Sequence, residues 1–375
     1  MKIAMIGHKR IPSREGGIEV VVQALSTRMV ALGHHVDVYN RMGKHVADTV
    51  HSKNPRAKEF QGVRLITIPT LPQRNFNAII YSFLATIRAL FGRYDVIHFH
   101  AEGPAAMCWL PRLFRIRTVV TIHGLDWQRA KWGNFASRYL RFGERMAARH
   151  ADEVIVLSHQ MQRYFAKTYG RHTVFIPNGV DTPNANTPLP EGLFPQTYYL
   201  YAGRIVPEKG IHYLLEAYHM LDTDMPLVIA GGASHSEEYM HLLREKGKPD
   251  PRVHFLGFVE EAVLQSLFAN AYVCVFPSDV EGMPLSLLEA LSTGCCCLVS
   301  NIDEHLEIVG EYAPTFCKGD VQSLQSAMAW LLSDTESVQT FRQNSADFVL
   351  ARHNWDEITA RTLAIYQDKS PPLKC

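Results

Sequence analysis

Cysteine is scarce and unpaired in this chain of 375 residues. Its seven cysteines, an odd number, show no paired spacing, which excludes a small disulfide-framed secreted domain. Cys295, Cys296 and Cys297 stand consecutively in the apolar run Cys-Cys-Cys-Leu-Val, which reads as a buried strand. A metal site is the sharper reading of these thiols, but no histidine or carboxylate cluster completes it. Long apolar runs are absent too. The longest, around residues 78–90, is interrupted by Arg88 and is too short to span a bilayer. The chain opens on the strand-like Lys2-Ile-Ala-Met-Ile-Gly7 and not on a charged segment followed by an apolar core, so the expected location is cytoplasmic. There is no repeat, no low-complexity tract and almost no net charge, at +1.

That balance hides a split. Residues 1–180 hold 26 Lys and Arg against 11 Asp and Glu, a net of +15, whereas residues 181–375 hold 12 against 26, a net of −14. Two bodies facing different partners are implied, the basic one suited to phosphates, lipid headgroups or nucleic acid. An aromatic-basic platform is missing, and with the second half acidic this argues against nucleic acid.

With 47% hydrophobic residues the chain can fill two cores. Strand-like and helix-like runs alternate through both halves, as in a parallel sheet covered on both faces. The first half offers strands near Lys2, His35, Val63, Val96, Thr118, Glu153 and Val174, and helices over 18–32, 78–91, 105–114, 136–150 and 159–169. A linker-like stretch, 178–190, is rich in Asn, Pro and Thr. Alternation then restarts, with strands near Tyr198, Leu227, Val253, Ala271 and Cys296. The fold class is α/β, with two doubly wound Rossmann-like domains: 1–182, onto which helices from about 352–375 pack back, and 183–351.

The richest stretch is Glu281-Gly-Met-Pro-Leu-Ser-Leu-Leu-Glu289, which follows the strand-like run ending at Phe276. Pro284 suits the start of a helix, so Glu281 falls in a strand-to-helix loop and Glu289 about one turn into the helix. Two carboxylates and a helix N-terminus at the carboxyl end of a strand are placed where open α/β sheets bind ligands, and suit sugar and ribose hydroxyls. Gly203-Arg-Ile-Val-Pro-Glu-Lys-Gly210 follows the first strand of the second half. Arg204 and Lys209, beside a helix N-terminus, make a diphosphate cradle. In the first half, the loop from His8 to Gly16 and Gly17 precedes a helix, where paired glycines admit an anion close to backbone N–H groups.

Together these segments resemble the retaining GT-B glycosyltransferases of family 4 over essentially the whole chain, with a loop that looks like a bacterial surface-polysaccharide, rhamnosyltransferase-like subgroup. The resemblance implies two domains facing across a cleft. Arg204 and Lys209 would contact the donor diphosphate. Glu281 would hold the donor sugar, and Glu289 the nucleotide ribose. The turn Gly282, Met283, Pro284 and Leu285 would close on sugar and phosphate, and Gly16 and Gly17 would approach the phosphate from the other domain. His123, in Thr121-Ile-His-Gly-Leu-Asp-Trp127, resembles the family's cleft histidine, reaching the reacting sugar or its diphosphate. His123, Glu281, Arg204 and Lys209 form the expected catalytic set, and Arg14, Glu102 and Asp126 the acceptor side.

Other patterns have competing readings. His98, His100 and Glu102 mimic a metal cluster, although a His-x-His at a strand end is more often structural. Asp222-Thr-Asp224 looks like a metal–nucleotide motif of the other main glycosyltransferase fold, yet it precedes a strand, on the edge away from the ligand crevice. No metal and no cofactor is therefore expected. Arg138, Arg141, Arg145 and Arg149 recur on one helix face, either a solvated face or a stripe resting on an anionic membrane. The segment 81–91 could add apolar anchorage or be a core helix. The function expected is sugar transfer from a nucleotide-diphosphate sugar to a saccharide or lipid-linked acceptor in polysaccharide biosynthesis. A GT-B epimerase or hydrolase, or a non-catalytic assembly subunit, are the alternatives.

Overall fold

The structure, a computed structural model, describes residues 1–42, 57–70, 74–128, 133–233 and 236–368. The chain divides into two units, Met1–Asn178 with Trp355–Cys375, and Gly179–Asn354. The two divisions lie at 178/179 and 354/355. They fall together because Val180 bridges Asn354 and donates to the His353 carbonyl at 2.7 Å, so the outgoing and returning strands of chain run side by side. Residues 369–375 of the expected C-terminal helices lie outside the described residues.

The first unit runs β1 (Lys2–Ile6), α1 (Gly17–Ala31), β2 (His35–Arg41), β3 (Glu59–Phe60), β4 (Val63–Ile68), α2 (Arg74–Leu90), β5 (Val96–His100), α3 (Glu102–Ala105), α4 (Trp109–Leu113), β6 (Arg117–Ile122), α5 (Asn134–His150), β7 (Glu153–Val156), α6 (His159–Tyr169) and β8 (Val174–Phe175). The sheet order is β3-β4-β2-β1-β5-β6-β7-β8, parallel except for the two-residue β3. Order reverses between β1 and β5, where an open α/β sheet leaves a crevice at its carboxyl edge. One expected helix, 105–114, is two short ones. Pro111 has no N–H to give the Met107 carbonyl, and residues 106–108 close three-residue turns instead. The returning helix packs on α1, tied by Arg28 to Asp356 at 2.9 Å.

The second unit runs β9 (Tyr199–Ala202), α7 (Ile211–His219), β10 (Leu227–Ala230), α8 (Glu237–Gly247), β11 (Val253–Gly257), α9 (Glu261–Asn270), β12 (Val273–Phe276), α10 (Leu285–Ser292), β13 (Cys297–Ser300), α11 (Asp303–Val309), β14 (Thr315–Phe316), α12 (Val321–Ser333) and α13 (Thr335–Arg352); α14 (Trp355–Gln367) belongs to the first unit. Its parallel sheet has the order β11-β10-β9-β12-β13-β14, with the reversal between β9 and β12. The strands read as continuous apolar runs because both faces are covered. Leu200, Val228, Cys274 and Leu288 lie in one layer and Tyr199, Ile229, Val275 and Leu298 in the other, all fully buried. Each such aliphatic side chain contributes about 1.5–3 kcal/mol through the area it removes from water. Cys295, Cys296 and Cys297 are fully buried, as read from the sequence, and no disulfide is present among the described cysteines. Helix α11 and strands β3 and β14 were not anticipated; all three are short and carry weak periodicity.

Candidate active site

In the second unit, the loops after β9 and β12 leave neighbouring strands at the same carboxyl edge. The first closes with a single 3-10 turn, Pro207–Lys209, before α7. Gly210 links the two at φ +67°, and a Cβ there would sit 1.9 Å from the Pro277 carbonyl oxygen. Only glycine permits this approach, which presses Lys209 against the β12 loop. Lys209 Nζ donates to Glu281 Oε1 at 2.5 Å, with both side chains almost fully buried. Ser278 Oγ donates to the same oxygen at 2.6 Å. Burial by itself pushes the Glu281 carboxyl upward; the Lys209 charge, His305 and the two hydrogen bonds together outweigh it and bring the pKa down to about 2.

A second tier supports this pair. Ser300 Oγ, at the end of β13, donates to the Ser278 carbonyl at 2.6 Å. His305 Nδ1, on α11, lies 3.1 Å from the Ser300 carbonyl oxygen and 3.1 Å from Ser300 Oγ. Burial lowers the His305 pKa to about 4, so the ring is neutral, and its Nε2 is buried without a hydrogen-bond partner among the described residues. Arg204 is half-buried and has no carboxylate partner among the described residues. Pro284 is the N-cap of α10, one position before the first helical residue, and Glu289 is half-buried on that helix. Gly282 is buried, and Met283 and Leu285 pack on the core. The structure thus brings Lys209 and Glu281 into direct contact, a pairing that spacing alone does not reveal. Ser278, Ser300 and His305 were missed. Ser278 had a signal, a small hydroxyl residue at a strand end; His305 had none.

In the first unit the corresponding edge carries histidines. His100 Nδ1 lies 3.1 Å from His123 Nε2, and the two rings stack at 5.3 Å. His98, next on that face, is held by Tyr366 Oη at 2.6 Å and Thr121 Oγ1 at 2.7 Å. Burial drives the His98 pKa to about 3 and that of His100 well below the usual histidine range. Both therefore carry one proton and serve as neutral struts, and His100 fixes the His123 ring. Gly16 is the N-cap of α1, Gly17 its first residue, and Arg14 is half-buried just before them. Asp126 starts a single 3-10 turn, half-buried.

Glu102 is a correction. Expected on an acceptor surface, it is wholly buried, with the Glu144 carboxyl and the Asp126 backbone as its nearest polar neighbours and no well-formed hydrogen bond to either carboxyl oxygen among the described residues. Helix α5 covers it: a Cβ on Gly143 would lie 1.9 Å from the Glu102 carbonyl oxygen. Burial, with the Asp126 and Glu144 carboxyls nearby, raises its pKa to about 10, so it is a neutral acid at pH 7. Glu144 accepts from Trp127 Nε1 at 3.0 Å and from Tyr164 and Tyr169 hydroxyls at 2.7 Å each. The preceding Ala101 is held at φ +76°, ψ 161°, a conformation nearly restricted to glycine, which marks this corner as over-determined by its surroundings. Among the described residues no group of three or more His, Cys, Asp or Glu is arranged to hold a metal. Asp222 and Asp224 are exposed in the loop before β10, at the amino edge of the sheet.

These two carboxyl-edge sites can be set beside known proteins. Residues 15–183 match the family model described as Glycosyltransferase Family 4, and residues 192–348 the one described as Glycosyl transferases group 1. Glycogen synthase of Mycobacterium tuberculosis is 26% identical, the alignment covering 98% of this chain and 94% of that protein. O-antigen chain mannosyltransferase B of Escherichia coli is 31% identical over 179 residues, 46% of each chain. The structure of Anabaena Alr3699/HepE in complex with UDP and glucose superposes with a TM-score of 0.79 at 19% identity, covering 97% of this chain and 99% of that one. With two Rossmann-like units and both family models spanning nearly the whole chain, the protein is a glycosyltransferase of family 4, built on the GT-B fold.

Proposed function

We propose that this glycosyltransferase moves a sugar from a nucleotide-diphosphate sugar to a saccharide or lipid-linked acceptor during assembly of a bacterial surface polysaccharide, with retention of anomeric configuration and without a metal. The observation that carries the donor reading is the buried Lys209–Glu281 pair at the carboxyl edge of β9 and β12. Glu281 Oε1 is committed to Lys209 and Ser278, so Oε2 is the oxygen left to accept sugar hydroxyls. Arg204, with no carboxylate to neutralise it among the described residues, meets the diphosphate together with the backbone N–H groups opening α10. Glu289 takes the ribose.

In the step itself, the bond between the anomeric carbon and the β-phosphate oxygen breaks, and the nucleoside diphosphate leaves with the electron pair. The acceptor oxygen bonds to the same face of the sugar, and its proton passes to the departing phosphate. Arg204 and Lys209 stabilise the charge that develops on that phosphate, which makes a metal unnecessary. His123, steadied by His100, meets the sugar from the first unit, with Gly16 and Gly17 toward the phosphate and Arg14 and Asp126 toward the acceptor. The UDP named with HepE and the O-antigen chain named with the E. coli relative support a nucleotide donor and a polysaccharide product here.

A thermal-shift screen against UDP-, dTDP- and GDP-sugars tests the reading, since stabilisation follows ligand concentration over affinity. One sugar family should raise the melting temperature in a dose-dependent way, and Lys209→Ala should abolish the rise. Release of free sugar from donor alone, at the rate seen with acceptor, would make the enzyme a hydrolase. No shift with any nucleotide sugar would remove the donor assignment.

A further inference from the structure

In the first unit, helices α2, α4 and α5 lie side by side on one face of the sheet, opposite α1 and α14. This layer carries apolar side chains on its outer face as well as its inner one. On α2, the buried side holds Tyr81, Ser82, Ala85, Thr86 and Ala89, and the two hydroxyls are satisfied by the Ala78 and Ser82 carbonyls. The outward side holds Ile80, Phe83, Leu84, Ile87 and, one turn on, Phe91, at the spacing of a helical stripe. Phe83 is 46% exposed and Phe91 83%. The stripe continues onto Trp109, Leu113 and Phe114 at α4 and Phe135 and Phe142 on α5, all exposed. By contrast, the exposed large apolar residues of the second unit are scattered singly over separate elements.

Unpaired charge on the layer is basic, the acids in the loops after α2 and α5 being Asp95, which accepts from the Lys2 N–H, and Asp152, paired with Arg112. Arg88, Arg93, Arg115, Arg138, Arg145 and Arg149 are exposed, and none has a carboxylate partner among the described residues. Helices α2 and α4 contain no acid, and Glu144, the one acid of α5, is buried. We propose that this face docks on an anionic lipid bilayer, with the Phe, Leu and Trp side chains entering the boundary between headgroups and acyl chains and the arginines pairing with lipid phosphates. An amphipathic surface of aromatic and aliphatic residues rimmed by arginine fits that interface. A second copy fits it poorly, because a two-fold contact would set the arginine layer against itself. No helix among the described residues is long and apolar enough to cross a membrane, so the contact is peripheral. The proposal deepens the lipid-linked acceptor reading and rests on it for its purpose, since it places the acceptor-side unit where such an acceptor is found.

The test is binding, not transfer, so the two readings fail separately. The full chain is floated with vesicles of phosphatidylcholine, and with vesicles in which phosphatidylglycerol is about one third of the lipid. It should float with the anionic vesicles and be released by high salt. Leu84→Glu with Phe91→Glu, and separately Arg145→Glu with Arg149→Glu, should each weaken partitioning by about tenfold or more. The melting temperature should hold in the arginine variant and fall only slightly in the other, since Arg145, Arg149 and Phe91 are exposed and Leu84 is 38% exposed. Wild-type protein that stays in the pellet overturns the proposal, as does a Leu84→Glu/Phe91→Glu chain that floats like wild type. A wild-type dimer in sedimentation that this variant dissolves would assign the face to a second copy. A chain that floats yet transfers no sugar would leave the docking face intact and remove the catalytic reading.

Discussion

Glu102 and Glu281 occupy equivalent corners of the two Rossmann units. Each follows the strand that adjoins the first strand of its sheet on the far side of the order reversal, β5 beside β1 and β12 beside β9. Both carboxyls are buried, yet they are driven to opposite states. Glu281 has a lysine, a serine hydroxyl and a supporting histidine, and stays ionised down to about pH 2. Glu102 has two other carboxyls for neighbours and holds its proton up to about pH 10. Burial penalises the charged form in both, so the difference lies in the partner that each sheet edge supplies. A buried anion fixed by a cation can recognise hydroxyls, whereas a buried neutral acid among aromatics is part of the scaffold that holds the His123 loop.

The comparison breaks most visibly at Lys209. Removing it by Lys209→Ala leaves the Glu281 charge buried without its cation. Loss of one partner of a buried pair costs about 3–5 kcal/mol, and loss of a transition-state cation about 10²–10³-fold in rate. Urea denaturation and initial transfer rates measure the two effects. Glu281→Gln strands the Lys209 charge in turn, but its amide oxygen can still accept from Lys209 and Ser278, so it should cost less stability than Lys209→Ala. It should also flatten the acid limb. The Glu281 pKa is lowered by folding, so its stabilisation is present above the ordinary value of 4.5 and is lost as pH falls toward 2. If Lys209→Ala melts like wild type and transfers sugar normally, the pair is ornamental.

Glu102 should respond with the opposite sign. Its folded pKa is raised, so the folded state binds a proton that the unfolded state has released. Stability is then full below about 4.5 and falls as pH rises toward about 10. Near pH 7 the deficit is about 3 kcal/mol, from the gap between 4.5 and 7. Glu102→Gln, similar in shape and always neutral, should therefore stabilise the protein by roughly that amount at pH 7 and by almost nothing at pH 4. Chemical denaturation at several pH values checks this. A destabilised variant at pH 7 would mean that Glu102 is ionised in the fold and belongs with Glu281.

A smaller effect tests how the donor loop is held. Gly210→Ala puts a methyl against the Pro277 carbonyl at a left-handed position, and strain of this kind costs about 1–3 kcal/mol. Because the clash pushes the Lys209 turn from the β12 loop, the loss in donor affinity should exceed the loss in melting temperature. Here the limits of sequence reading are visible. The parallel strands were legible because each is a continuous apolar run, and so was the position of Glu281, since Pro284 and the following leucines mark a helix start. That Lys209 would bond Glu281 was not legible, because it depends on a glycine contact between residues 67 positions apart (Gly210 and Pro277). Nor was the burial of Glu102. It sits in a loop by spacing, but α5 closes over it through Gly143, and nothing local announces that approach.

The smallest expected change lies at Asp222 and Asp224, and it sharpens the comparison by marking which carboxylates do not take part. Both are exposed before β10, at the sheet edge away from Lys209 and Glu281. Solvated carboxylates in such a loop have little to lose on neutralisation, so Asp222→Asn with Asp224→Asn should alter stability by no more than about 0.5 kcal/mol. On the proposed donor assignment, in which Arg204 and Lys209 meet the phosphates, transfer rates should match wild type with and without a chelator. A rate that falls in the double variant and is restored by excess divalent cation would place donor charge at the amino edge. The neutralising role would then pass from Lys209 to these aspartates, and the buried ion pair would be left with structure alone to explain it.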